Sequence, residues 1–290
     1  DFKEAYLPVA KRASLLYFCV ADFNVVDPMY QFSLKWFVSL FRTAVMNSKR
    51  SNNQEELVKN LNASIAEKFF NSVSHSLFSR HKLLFSALMA FRILVYEQKI
   101  TNNELAYLIS PLYLSEENKS DLPDAIWKQL VGLESIHPAF EKITQDVINR
   151  PIEWINYYRN YEVGCPFSGL SSFQKLILTR IFHLPKFRKN LMEFIIETLG
   201  PQFVKPPTLN LASVFQQSNP LSPLIFIIMP GIDPQDEIIN VAASMEMDRN
   251  LKTYSLGRGR GKGAEELILN ASERGYWVVL QNCHLSLSWM

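Results

Sequence analysis

Residues 224–229 read Leu224-Ile225-Phe226-Ile227-Ile228-Met229 and run straight into Pro230-Gly231. An unbroken apolar run of this length, bounded by Pro220 and Pro223 on one side and Pro-Gly on the other, predicts a strand buried on both faces. Downstream, a helical pattern covers about 234 to 246, a short strand Thr253 to Leu256, a second helix Ala264 to about Arg274, and another apolar run Tyr276 to Leu280. The order β-α-β-α-β is the signature of a parallel sheet. Three strands are fewer than the roughly five or six of a typical sheet. The pattern stops where the next helix should begin, so the expectation is half of a domain, cut from something longer.

Upstream the texture is different. Residues 1 to about 215 read as helix after helix. Phe37, Leu40, Phe41, Ala44 and Val45 form one apolar stripe, and Leu57, Leu61, Ile65, Phe69, Val73 and Leu77 recur every four residues behind a capping box expected at Ser51 and Gln54. Further helical patterns cover about 83 to 98, 123 to 133, 151 to 161, 171 to 183 and 187 to 199, punctuated by Pro111, Pro123, Pro151 and Pro185. With 48% hydrophobic residues and only 10 glycines in 290, the chain can fill a sizeable core and lacks the polar bias of a disordered tail. Thirty basic against 28 acidic residues leave a formal charge of +2, which gives no field for a nucleic acid or a membrane surface. The apolar stretch Leu83 to Tyr96 is too short to span a bilayer and contains Arg92. Cys19, Cys165 and Cys283 are too few, and odd in number, for a disulfide framework, so they read as buried thiols in a reducing compartment.

The loops after the strands decide what chemistry is open to the fold. A phosphate-binding loop has the form G-x-x-x-x-G-K-[ST], whose glycines let backbone amides wrap the phosphates while the lysine and hydroxyl meet the outer phosphates and magnesium. Gly231 stands at the first position, but the next three hold Asp236, Glu237 and Ile238. Carboxylates facing a polyphosphate at about 4 Å cost about 4 kcal/mol per charge pair even at an effective dielectric of about 20. The matching acidic pair should close a later strand, yet Trp277-Val278-Val279-Leu280 ends in Gln281 and Asn282. Neutral amides give magnesium no charge and take no proton, so both halves of a hydrolysis site are degenerate. No catalytic residue and no metal ligand set is assigned, and His284 reads as a packing residue.

The sharpest local feature is Gly257-Arg258-Gly259-Arg260-Gly261-Lys262-Gly263-Ala264. Gly259, Gly261 and Ala264 match G-x-G-x-x-[GA] between a strand and a helix, which supports an alternative reading as a phosphate- or dinucleotide-binding module. Against it, the next strand ends in Gln281 where a ribose-binding carboxylate would stand. Its three cations could meet nucleic-acid phosphates, but no basic stripe or aromatic platform accompanies them. The plain reading is a turn whose cations meet a neighbouring acidic surface. Matches to N-x-S at Asn62, Asn118 and Asn270 lack a secretory context, and His75, His81, Trp36, Trp127 and Trp154 carry no ligand spacing and read as core or interface residues.

Several segments resemble the dynein heavy chain in family order. They include Leu7-Pro8-Val9-Ala10, Ser14 to Phe18, Asp27 to Leu34, Leu77-Phe78, His81 to Ser86, Phe173 to Leu176, Pro223 to Phe226, Pro230-Gly231, Asp233-Pro234, Ser255-Leu256-Gly257, Trp277 to Leu285 and Ser288-Trp289-Met290. The wording Gln281-Asn282-Cys283-His284-Leu285 is similar to axonemal rather than cytoplasmic members.

The resemblance implies a place in a ring of six AAA+ modules that drives ATP-dependent, minus-end-directed movement on microtubules in the axoneme of a cilium or flagellum. On that footing residues 1–110 are the helical small domain of the fifth module with the end of the strut that braces the coiled-coil stalk. Residues 111–215 are a helical connection, and 216–290 the first half of the degenerate P-loop α/β domain of the sixth. The implied fold is mostly α-helical over the first two thirds, then an α/β half-domain with parallel strands. ATP and magnesium act at other modules, with no cofactor in this segment. The implied partners are the neighbouring modules and stalk of the same heavy chain, other dynein chains and, through the whole motor, the microtubule, without nucleic acid or membrane. Relatives commonly carry glutamines between the loop glycines where this chain has Arg258 and Arg260, which leaves that loop's partner open.

Overall fold

The computed structural model describes residues 2–114, 116–205, 210–218, 223–228, 231–257, 259–286 and 288–289, with backbone only for Phe2 and Gln217. The chain divides into two compact units, 1–207 and 208–290. The first is helical throughout its described residues. It is built from α1 (Phe2–Ala21), α2 (Leu34–Met46), α3 (Gln54–Ser76), α4 (Ser79–Tyr96), α5 (Asn102–Ile109), α6 (Asp124–Glu134), α7 (Ile143–Asn149), α8 (Pro151–Arg159), α9 (Ser172–Phe182) and α10 (Leu184–Leu199), followed by a 3-10 turn at Pro201–Phe203.

Helix α1 buries Val9, Ala13, Leu16, Val20 and, just past its end, Phe23, one face at three- and four-residue spacing, and packs on α3 and α4. The repeat of apolar residues along α3 is buried as expected from Leu61 through Val73, with Leu57 half-buried at its start. The start of α3 lies two residues later than the expected capping box. Asn53 is the cap, its Oδ1 accepting from the amides of Glu55 and Glu56, while Ser51 Oγ donates to Glu56 Oε2 at 2.7 Å. Asparagine caps as well as serine and stands at the residue where the chain turns extended, so it displaces Ser51 from that role.

Two true capping boxes occur further on, Thr101 with Glu104 opening α5 and Ser171 with Gln174 opening α9. They are joined: Gln174 Nε2 donates to Glu104 Oε1 at 2.8 Å, so the buried carboxylate of one cap is satisfied by the amide of the other. This bond and the packing of α5 on α9 link the helices on either side of residue 110. At the far end, Ser86 Oγ of α4 donates to the carbonyl of Phe203 at 2.6 Å, and the Phe203 ring sits 5.0 Å from that of Phe70. Trp127 and Trp154 are core residues, Trp36 is half-buried against Phe32, and of the three cysteines only Cys19 is fully buried.

The second unit contains α11 (Leu211–Gln217), α12 (Gln235–Ser244), β1 (Leu251–Ser255), α13 (Gly261–Arg274) and β2 (Trp277–Gln281). Strands β1 and β2 are parallel, in register from Leu251 with Trp277 to Ser255 with Gln281, and α13 is the crossover between them. Phe215 of α11 packs on Trp277 with ring centroids 4.3 Å apart.

The expected first strand departs from this picture. Residues 223–228 carry no strand assignment, and Leu224 to Ile228 are 37–74% exposed. A strand persists through its ladder, and among the described residues this run has no hydrogen-bonded neighbour on either edge. Met229 and Pro230 lie outside the described residues. The same cause leaves β1 and β2 half-buried instead of buried on both faces: two strands protect one edge each and little of their faces. No helix among the described residues is long and apolar enough to cross a membrane.

Candidate functional site

Helix α12 opens at Gln235, which sets Asp236, Glu237 and Ile238 in its first turn. This is the register in which a phosphate loop presents its glycine, lysine and hydroxyl. Gly231 lies in the turn ahead with φ at +86°, a left-handed conformation that glycine adopts without strain. The helix start carries three acids. Asp236 and Glu237 are exposed in its first turn, and Asp233 Oδ1 accepts from the amide of Gln235 at 3.0 Å. An amide at such a helix start is the group a phosphate oxygen would otherwise meet, and here a carboxylate of the chain already has it. All three acids favour the positive end of the helix dipole, so their placement also has a stabilising reason.

The second half of the site comes to the same place. Gln281 ends β2, and its Nε2 donates to Gln235 Oε1 at 2.8 Å across 46 residues of sequence. Its carbonyl accepts from the amide of Leu256 at 2.8 Å. Asn282, held at φ +57°, donates through Nδ2 to Ser255 Oγ at 3.0 Å. The ends of β1 and β2 and the start of α12 are therefore tied by neutral side chains.

Of the residues expected from sequence, Gln281 reaches Gln235, the residue before Asp236, and Asn282 is held by Ser255, so that Asp233, Gln235 and Ser255 join the candidate set. Asp233-Pro234 just before a helix is a capping signal that could have identified the first of these. The partners of Gln281 and Asn282 depend on a tertiary approach with no local trace. His284 is exposed in the 3-10 turn after β2.

The glycine loop is arranged otherwise than a dinucleotide site requires. Gly259 takes φ +78°, Arg260 precedes α13, and Gly261, Lys262 and Gly263 form its first turn, while Arg258 lies outside the described residues. A methyl group on Gly261 would collide with the Trp289 indole, and one on Gly263 would come within 2.5 Å of the Tyr254 hydroxyl. Trp289 Nε1 donates to Glu265 Oε1 at 2.8 Å, and the Tyr254 hydroxyl donates to the Arg260 carbonyl at 3.3 Å. The close approach at Gly261 that would admit a pyrophosphate is thus occupied by the Trp289 indole of the chain itself. Arg260 and Lys262 are exposed and form no ion pair among the described residues.

Comparison with known proteins bears on both units. Residues 219–290 match the family described as dynein heavy chain region D6 P-loop domain. The whole chain is similar to dynein axonemal heavy chain 1 of Rattus norvegicus, at 37% identity over 98% of this chain and 6% of that protein. It is likewise similar to the human axonemal heavy chains 2 and 6, at 34% and 32% identity over 99% of this chain and 7% and 8% of those proteins. The chain spans less than a tenth of the length of these relatives. Helical unit and α/β unit together, the chain belongs to the dynein heavy chain family, among whose members it matches axonemal heavy chains from end to end.

Proposed function

We propose that this segment is a structural, force-transmitting part of an ATP-driven, minus-end-directed microtubule motor, with a degenerate nucleotide site and no catalysis of its own. Residues 1–110 would supply the helical small domain of the fifth AAA+ module and the end of the stalk strut. Residues 111–215 would connect to the sixth module, and 216–290 would begin its α/β domain. Its partners are the adjacent modules and stalk of the same heavy chain, other dynein chains and, through the whole motor, the microtubule. Its location is the axoneme of a cilium or flagellum, as the names of the relatives suggest.

The observation that carries the reading is the bond from Gln281 to Gln235 at 2.8 Å beside Asp233, Asp236 and Glu237. An uncharged bridge stands between strand end and helix start, and the surrounding carboxylates repel a triphosphate. Packed helices joined by buried bonds such as Gln174 to Glu104 then carry displacement as rigid bodies. The test is a structure of the parent motor with an ATP analogue and magnesium. Gly231 to Ile238 are expected free of nucleotide while other modules are filled, and adenosine density over that loop would overturn the proposal.

A further inference from the structure

The helical unit has a small pocket unrelated to the nucleotide loops. It is a cavity of about 110 Å³ between α3, α4, α10 and the 3-10 turn at Pro201–Phe203. Phe70, Leu83, Met192 and Phe203 give it an apolar lining, and Lys82 and Arg188 stand in its wall. Cofactor and drug-sized sites run to about 300–1,000 Å³, so the volume suits a single side chain.

The charges around it are not neutralised. Neither Lys82 nor Arg188 forms an ion pair among the described residues, whereas Lys189, next along α10, pairs with Glu193 at 3.8 Å. Burial already lowers the ammonium pKa of Lys82, and the Lys82 charge in turn helps lower that of His75. Two of the three helices that line the pocket carry cations near their starts and no acid in their first turns: Arg80 and Lys82 on α4, and Lys186, Arg188 and Lys189 on α10. Lys82 ends the first turn of α4 and Lys186 stands in that of α10, where a cation opposes the helix dipole, while Arg188 follows just beyond it. Arg80 is occupied, with its guanidinium 5.5 Å from the centre of the Phe78 ring and Nε donating to His81 Nε2 at 3.1 Å. Lys82 and Arg188 remain for something else. Residues that break a local rule of this kind mark sites where an external group completes the balance.

We propose that the pocket docks an acidic peptide segment of a protein partner, with one apolar side chain entering between Phe70, Leu83, Met192 and Phe203 and flanking carboxylates pairing with Lys82 and Arg188. The apolar lining selects a peptide over a bare anion, which would gain nothing from those four side chains. The positive wall selects acidic flanks. Arg188 and Met192 are one helical turn apart on α10 and share a face, and Lys82 and Leu83 of α4 both line the pocket, so each helix contributes one charge and one apolar side chain to it. This docking does not depend on the state of the nucleotide loops.

The test uses the 290-residue chain and two fluorescent pentapeptides, Glu-Glu-Leu-Glu-Glu and Gln-Gln-Leu-Gln-Gln, followed by fluorescence anisotropy. At about 50 mM salt the acidic peptide is expected to bind and the neutral one not, with binding lost near 500 mM as charges are screened. Lys82→Gln and Arg188→Gln should each weaken it about fivefold without lowering the melting temperature, since both side chains lie outside the core and form no ion pair among the described residues. Equal affinity of both peptides, wild-type affinity of both variants, or no binding at low salt would overturn the proposal. So would binding of phosphatidylserine vesicles or inorganic phosphate, with the same variant dependence, in place of the peptide.

Discussion

Gly132 illustrates how a single residue fixes a contact. It is buried in α6, and a methyl group there would run into the backbone carbonyl of Leu112. Backbone cannot swing aside as a long side chain can, so Gly132→Ala is expected to destabilise the first unit by about 1–3 kcal/mol, read as a lowered urea midpoint. Cys19 shows a residue silenced by its surroundings. It is fully buried in α1, and burial pushes its thiol up to about 12, so almost no thiolate exists at neutral pH. Cys165 is also raised by burial, though half-buried, and Cys283 is half-buried after β2. Iodoacetamide at pH 8 should therefore modify Cys283 readily and Cys19 only after unfolding, as mass spectrometry of the digested chain would show. Rapid labelling of Cys19 in the folded chain would contradict its placement.

At the scale of elements, most helices were legible because each carries its own signal. The apolar repeat of α3, the prolines at the starts of α8 and α10 and the serine-glutamine box of α9 are local in sequence, and the structure has these helices close to their expected bounds. The short helices α7 and α11 carry no such signal, and α5 escapes the pattern although Thr101 and Glu104 form an equally local box. Seven or eight residues give barely two turns, and their buried faces are defined by tertiary neighbours. The run Leu224 to Ile228 departs in the opposite direction, because apolar composition reports a demand for burial while strand formation needs a hydrogen-bonded neighbour. For the candidate site, counting from Gly231 and from the strand end gives Asp236, Glu237, Gln281 and Asn282. The bridge to Gln235 required the folded approach of α12 to β2. Asp233 belongs to this scale, since its carboxylate accepts the first amide of α12 from outside the helix. Asp233→Ala should remove about 1 kcal/mol of local stability, seen as faster amide hydrogen exchange through residues 235–238 with little change in α13.

For the whole molecule the clearest handle is acidity. His183 is buried, with Nε2 lacking any partner and Tyr157 and Tyr161 ring centroids 4.9 and 5.3 Å away. Its pKa is lowered by burial, as is that of His75, where Lys82 adds to the effect. A folded pKa below the unfolded value means that the unfolded chain binds more protons. The contribution is thus complete above the unfolded pKa of about 6.5, falls as pH drops through it, and levels off beneath the lower folded pKa. The melting temperature of the chain is expected to decline from about pH 6.5 downward, and His183→Gln should reduce that slope. An unchanged slope in the variant would assign the decline to other groups. The second unit is fastened on different terms. Its ties, Gln281 to Gln235 and Asn282 to Ser255, use amides and a hydroxyl that neither gain nor lose a proton near neutrality. A change of acidity that loosens the helical unit therefore leaves these ties fastened.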